Sequence, residues 1–93
     1  MQTSARNQFS GVVAQATAGA VNDEIIIDIT GGQQIVATVT HDSAARLGLK
    51  TGAKVVALVK ATSVIVMVDA DATKVSARNF VQGKVTNLTK GAV

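Results

Sequence analysis

The tetrapeptide Ser4-Ala5-Arg6-Asn7 returns as Ser76-Ala77-Arg78-Asn79, and the two copies stay in step, Gly11 with Gly83 and Gly19-Ala20-Val21 with Gly91-Ala92-Val93. From Ser4 to Ser76 the offset is 72 residues. With that period, a chain of 93 residues reads as one whole module and the opening of a second, because it stops where the copy of Asn22 is due. The complete module is expected over residues 4–69. Residues 70–75, in the polar stretch Asp69–Lys74, serve as a linker, and residues 76–93 form the first stretch of a second, truncated module.

One small module of this size buries only about two-thirds of its unfolded surface, so an apolar content of 47% suffices for a core and self-association would help it. There is no cysteine and only one histidine, which leaves neither a disulfide framework nor a thiolate or imidazole metal centre. No run reaches the roughly 18–20 apolar residues of a membrane span, and Met1 opens no export signal. A cytoplasmic protein is expected. The formal charge of +3 is spread thinly, which suits a small anion better than a polyanion. Phe9 and Phe80 are the only aromatics, too few for the stacking platforms of single-stranded nucleic acid binding.

The module reads as strand-rich. Phe9–Ala16 is dominated by valine and alanine, and Glu24–Ile29 alternates, with Ile25, Ile27 and Ile29 on one face and Glu24 and Asp28 on the other. Gly31-Gly32 tolerates the positive φ of a tight hairpin, and Ile35, Ala37 and Val39 continue the alternation on the return strand. Asp42–Gly48 has the marks of a short helix, with Thr40 or Asp42 as N-cap and Gly48 as the stop. Lys54–Lys60 and Val64–Met67 are two further β-rich runs. The expected fold is all-β, a small five-stranded barrel of the oligonucleotide/oligosaccharide-binding (OB) kind with one short helix, in an oligomer.

No catalytic constellation emerges. His41 beside Asp42 is a poor base and orienter, since sequence neighbours seldom face each other, and a solvated or cap-adjacent histidine is the plainer reading. Asp23, Glu24, Asp28, Asp69 and Asp71 lack calcium-loop spacing and read as solvated faces and loop ends. The glycines form neither a phosphate-binding loop nor a dinucleotide fingerprint. What remains is a set of hydroxyls and cations: Ser4 and Arg6, Thr40 and Ser43, and Lys60 followed by Thr62 and Ser63. A tetrahedral oxyanion is suited to such donors, because each oxygen accepts several hydrogen bonds. Turn formation and surface solubility account for the same residues.

Five ordered stretches carry a resemblance. Ser4-Ala5-Arg6-Asn7, Gly19-Ala20-Val21-Asn22, Val39-Thr40 with Ser43, Leu47-Gly48-Leu49-Lys50-Thr51-Gly52, and Val56-Ala57-Leu58-Val59-Lys60-Ala61 with Val64 together resemble the Mop, or molbindin, family of TOBE-like molybdate-binding modules. The match covers residues 4–69 and resumes at 76–93. The resemblance implies a small β-barrel that assembles into trimers or hexamers and holds molybdate or tungstate, without an organic cofactor, between modules. It assigns oxyanion contacts to Ser4, Arg6, Thr40, Ser43, Lys60 and Ala61, with Arg46 and Ser63 as weaker candidates. Thr62-Ser63 stand where many relatives carry Pro-Trp, which alters one pocket wall. The second copy keeps Ser76 and Arg78 but no counterpart of Thr40, Ser43 or Lys60, so it is expected to lend Ser76 and Arg78 to a site on another module.

The function implied is reversible capture of the oxyanion for storage or homeostasis, without turnover. The same module also forms the effector-binding part of molybdate-responsive transcription regulators, a second reading. An OB-type nucleic-acid-binding module is a third, which the aromatic deficit disfavours.

Overall fold

The computed structural model describes residues 7–68 and 78–91. Four strands, β1 (Asn7–Thr17), β2 (Asn22–Ile29), β3 (Gln34–Thr40) and β4 (Lys54–Val59), form one antiparallel sheet in the order β3-β2-β1-β4. Among the described residues one α-helix, α1 (His41–Leu47), connects β3 to β4, and Ala61–Ser63 is one turn of 3₁₀ helix.

Alternation builds the core. Ile25, Ile27 and Ile29 of β2, Ile35 of β3 and Val13 of β1 are buried, and Phe9, Ala37, Val39, Val55 and Ala57 pack against them. Every strand thus turns one face to a common interior, each fully buried aliphatic side chain contributing about 1.5–3 kcal/mol. Ile26, out of phase with this face, is half-buried. The β2–β3 hairpin closes through the Ile29 N–H donating to the Gln33 carbonyl at 2.9 Å, with Gly31 and Gly32 at φ 95° and 79°. Between Val13 and Gln15 the β1–β2 register shifts by a bulge at Ala14. Gly11, opposite Ile29 on one side and Val55 on the other, is the tightest point of β1. A Cβ there would collide with the Asp28 carbonyl oxygen and stand 2.8 Å from Ile27 Cγ2.

The fifth strand expected at Val64–Met67 is not formed: the described residues contain four strands, and Val64–Val68 is irregular and 48–87% exposed. This run is apolar at every position, so it offers no face to choose between core and water. A 3₁₀ turn at Ala61–Ser63 stands between the end of β4 and this run. The open edge of β3 is instead contacted by the second copy. Asn79 acts through its side-chain amide as a substitute peptide group. Its Oδ1 accepts from the Val36 N–H at 2.6 Å and its Nδ2 donates to the Val36 carbonyl at 2.9 Å. Gln33 makes the reverse exchange with the Gln82 backbone at 2.9 and 3.3 Å. As numbering falls from 82 to 79 the contacts climb from Gln33 to Val36, so this segment runs antiparallel to β3. The linker expected at residues 70–75 lies outside the described residues.

Candidate functional site

Two ends of the sheet carry the candidate donors. At one end β3 finishes at Thr40, opposite Asn22 of β2, and passes directly into α1. Thr40 is the N-cap, with φ −65° and ψ 149°, and its Oγ1 accepts from the Ser43 N–H at 3.2 Å. That bond uses the oxygen as acceptor and leaves the hydroxyl proton available to donate. Thr40 is exposed and Ser43 half-buried. Arg46 sits exposed in the last turn of α1, which Gly48 ends in the left-handed conformation at φ 66°.

At the other end β4 finishes at Val59, opposite Asn7. Lys60 follows as the N-cap of the 3₁₀ turn, its carbonyl accepting from the Ser63 N–H at 2.9 Å. Lys60, Ala61 and Ser63 are all exposed. The 11-residue β1 separates this end from the Thr40 end, roughly 35 Å of extended chain at ~3.3 Å per residue. One module therefore does not bring Lys60 and Ala61 together with Thr40 and Ser43. Ser4, Arg6 and Ser76 lie outside the described residues. A cavity of about 580 Å³ between the start of β1 and the second copy is lined by Phe9, Ile35, Met67 and Phe80, and among the described candidates only Ser63 borders it. Its lining is mainly apolar, with Asn7 and Asn79 as the other polar residues.

Arg78 is found at the Thr40 end. Its guanidinium Nη2 lies 2.9 Å from Glu24 Oε2. Glu24 pairs with Thr38, and Asn22 with Thr40. Residues two apart on a strand, and residues directly opposite on neighbours, share a face. Glu24, Asn22, Thr38 and Thr40 therefore occupy one face, with Arg78 drawn onto it about two strand residues, or ~7 Å, from Thr40. This contact is made within one chain, between the second copy and the complete module.

His41 is exposed and follows the cap, as expected, but it is engaged by Asp23 rather than by Asp42. Asp23, expected in solvent, is 7% exposed. Its carboxylate lies 3.0 and 3.2 Å from His41 Nδ1 and accepts from the Gly19 N–H at 3.1 Å. The His41 N–H in turn donates to the Val21 carbonyl at 2.9 Å. A carboxylate only accepts, so Nδ1 carries the proton. The histidine hydrogen bond, followed by that of Gly19, holds the Asp23 carboxyl below its usual range, and Asp23 raises His41. The pair ties the Gly19–Asn22 turn to the start of α1. A sequence signal for Asp23 existed: stepping the Ile25, Ile27, Ile29 alternation back by two places it on the buried face. Asn79 and Glu24 had no such signal, because their partners are distant in sequence.

Among the described residues no group of three or more His, Asp or Glu is arranged to hold a metal ion, and no helix is long and apolar enough to cross a membrane. Comparison with known proteins matches residues 3–66 to the TOBE domain. Over all 93 residues the chain is 42% identical to the molybdenum transport protein ModE of Herbaspirillum seropedicae. It spans about a third, 34–35%, of the length of the curated relatives that it matches from end to end. Among solved structures, MopII from Clostridium pasteurianum superposes with a TM-score of 0.68 at 39% identity, covering 72% of this chain and 100% of that one. The cytoplasmic molybdate-binding protein ModG, with molybdate bound, gives a TM-score of 0.64 at 49% identity over 66% of this chain and 43% of its own. The four-stranded antiparallel sheet, the single capped helix and these similarities lead to one assignment: the chain belongs to the TOBE domain family and is a Mop-type member of it.

Proposed function

We propose that this chain binds molybdate, or tungstate, reversibly and as the intact oxyanion, for storage or homeostasis in the cytoplasm and without catalytic turnover. The observation that carries the reading is the 49% identity to ModG, a cytoplasmic protein whose structure holds molybdate. The contacts are Ser4, Arg6, Thr40, Ser43, Lys60 and Ala61, with Arg46, Ser63, Ser76 and Arg78 in support. Hydroxyls, cations and backbone amides of this kind meet a dianion with donors that never need to be deprotonated. The separation of Thr40 and Ser43 from Lys60 and Ala61 along β1 supports sites shared between modules, in a trimer or hexamer. Selectivity over sulfate then rests on cavity size and rigid donors, since the two ions share charge and shape.

A second reading, that the chain is the effector-binding part of a longer molybdate-responsive transcription regulator, draws only on the chain's spanning about a third of the length of relatives such as the molybdenum transport protein ModE. Both readings require the oxyanion. Calorimetric titration with molybdate, repeated under excess sulfate on protein of measured oligomeric mass, tests it. Binding that survives sulfate supports the proposal, and an assembled protein that takes up no molybdate removes it.

A further inference from the structure

We infer that Glu24 is a built-in stand-in for the oxyanion, holding Arg78 at the Thr40 end of the sheet until a ligand displaces it. The inference rests on the oxyanion-binding reading above. Three observations lead to it. The guanidinium of Arg78 is held by one carboxylate oxygen of Glu24 at 2.9 Å, the kind of contact it would make with an oxygen of a tetrahedral dianion. The backbone beside Arg78 is fixed independently of that contact, because Asn79 grips both polar groups of Val36 and Gln82 exchanges two bonds with Gln33. Arg78 therefore stays in reach of this face whether or not Glu24 holds it. The face it reaches carries the Thr38 and Thr40 hydroxyls, with Ser43 bonded to Thr40 just beyond.

Glu24 engages one nitrogen of the guanidinium fork, and a carboxylate and a dianion brought onto the same fork repel each other, so Glu24 competes with the ligand for Arg78. Binding at Arg78 is thus strongest when Glu24 lets go. The pair is open to water, with side chains 64% and 39% exposed, so it holds weakly and displacement costs the ligand only a few-fold in affinity. Between ligands, Glu24 keeps the arginine on the site face.

The test is calorimetric titration of molybdate into the full chain and into Glu24→Gln, Arg78→Gln and the double variant, with melting temperatures checked for each. Glu24→Gln is expected to tighten binding about threefold, and Arg78→Gln to weaken it about tenfold. On the Arg78→Gln background, Glu24→Gln is expected to leave affinity unchanged. Equal tightening on both backgrounds overturns the inference, because it reports only the removal of a negative charge. Weaker or unaltered binding by Glu24→Gln also overturns it. Absence of molybdate binding in all four proteins instead overturns the oxyanion reading itself.

Discussion

Asp23 and His41, 18 positions apart in sequence, meet at 3.0 Å across the junction of β2 with the start of α1, one almost buried and the other with a side chain 54% exposed. The partnership makes stability depend on pH. His41 is raised above its ordinary value of 6.5, so its contribution is full below that pH and is lost as pH climbs through the raised value. Asp23 is lowered from 3.8, so its contribution is present above that pH and is lost as pH falls through the lowered value. The pair therefore stabilises most fully between 3.8 and 6.5. Denaturant midpoints taken from about pH 6 to about pH 9 should fall in the native chain and stay nearly flat in His41→Gln, over the range in which histidine titrates. Parallel profiles would refute the assignment.

Gly11 and Gly83 occupy equivalent positions in the two copies but unequal surroundings. A Cβ on Gly11 meets the Asp28 backbone, whereas nothing lies within 4 Å of one on Gly83. Gly11→Ala should destabilise the chain by about 2–3 kcal/mol, the usual cost of overpacking against backbone that cannot yield. Gly83→Ala should change stability by less than about 0.5 kcal/mol. Urea denaturation of the two variants side by side decides the matter, and equal effects would count against the register of β1.

Thr40 combines a cap with a candidate ligand contact, and the two roles separate by substitution. Thr40→Ser keeps a hydroxyl that can accept from the Ser43 N–H and should preserve both folding and molybdate affinity. Thr40→Ala should cost about 1 kcal/mol of stability through the lost cap. If the hydroxyl also contacts the ligand, Thr40→Ala binds more weakly under conditions where it remains fully folded. Unaltered affinity would leave Thr40 as a cap alone.

Lys60 offers the cleaner test at the opposite end, since it is exposed and its side chain makes no cap hydrogen bond. Lys60→Met should leave the melting temperature within a degree or so of the native value, as surface changes of about 0.5 kcal/mol or less do. It should weaken molybdate binding about tenfold, the scale of a lost charge-assisted bond. Native affinity in this variant would remove Lys60 from the site.

Much of the fold was legible because the chain alternates cleanly. The isoleucines of β2, the Gly31-Gly32 hairpin and the Thr40 to Gly48 helix each carry a local signal, and each forms where that signal places it. The missing fifth strand fails for the complementary reason. Val64–Met67 has β-formers but no alternation, and strand formation needs a partner edge that local sequence does not reveal. The candidate residues were legible only through the resemblance, because Thr, Ser and Lys at strand ends look the same whether they bind or merely turn the chain. Arg78 meeting Glu24, and Asn79 meeting Val36, depend on how the second copy lies along β3 and could not be read from either copy alone.

The distance between the two ends of β1 carries a consequence for dilution. On the proposed site, a ligand that draws on Thr40 at one end and Lys60 at the other would bridge separate modules, and each bound ion would act as a rivet between them. By mass action, such a rivet ties occupancy to protein concentration. A concentrated pool would fill and stay assembled, and the same protein diluted would come apart and release its cargo with no change in any side chain.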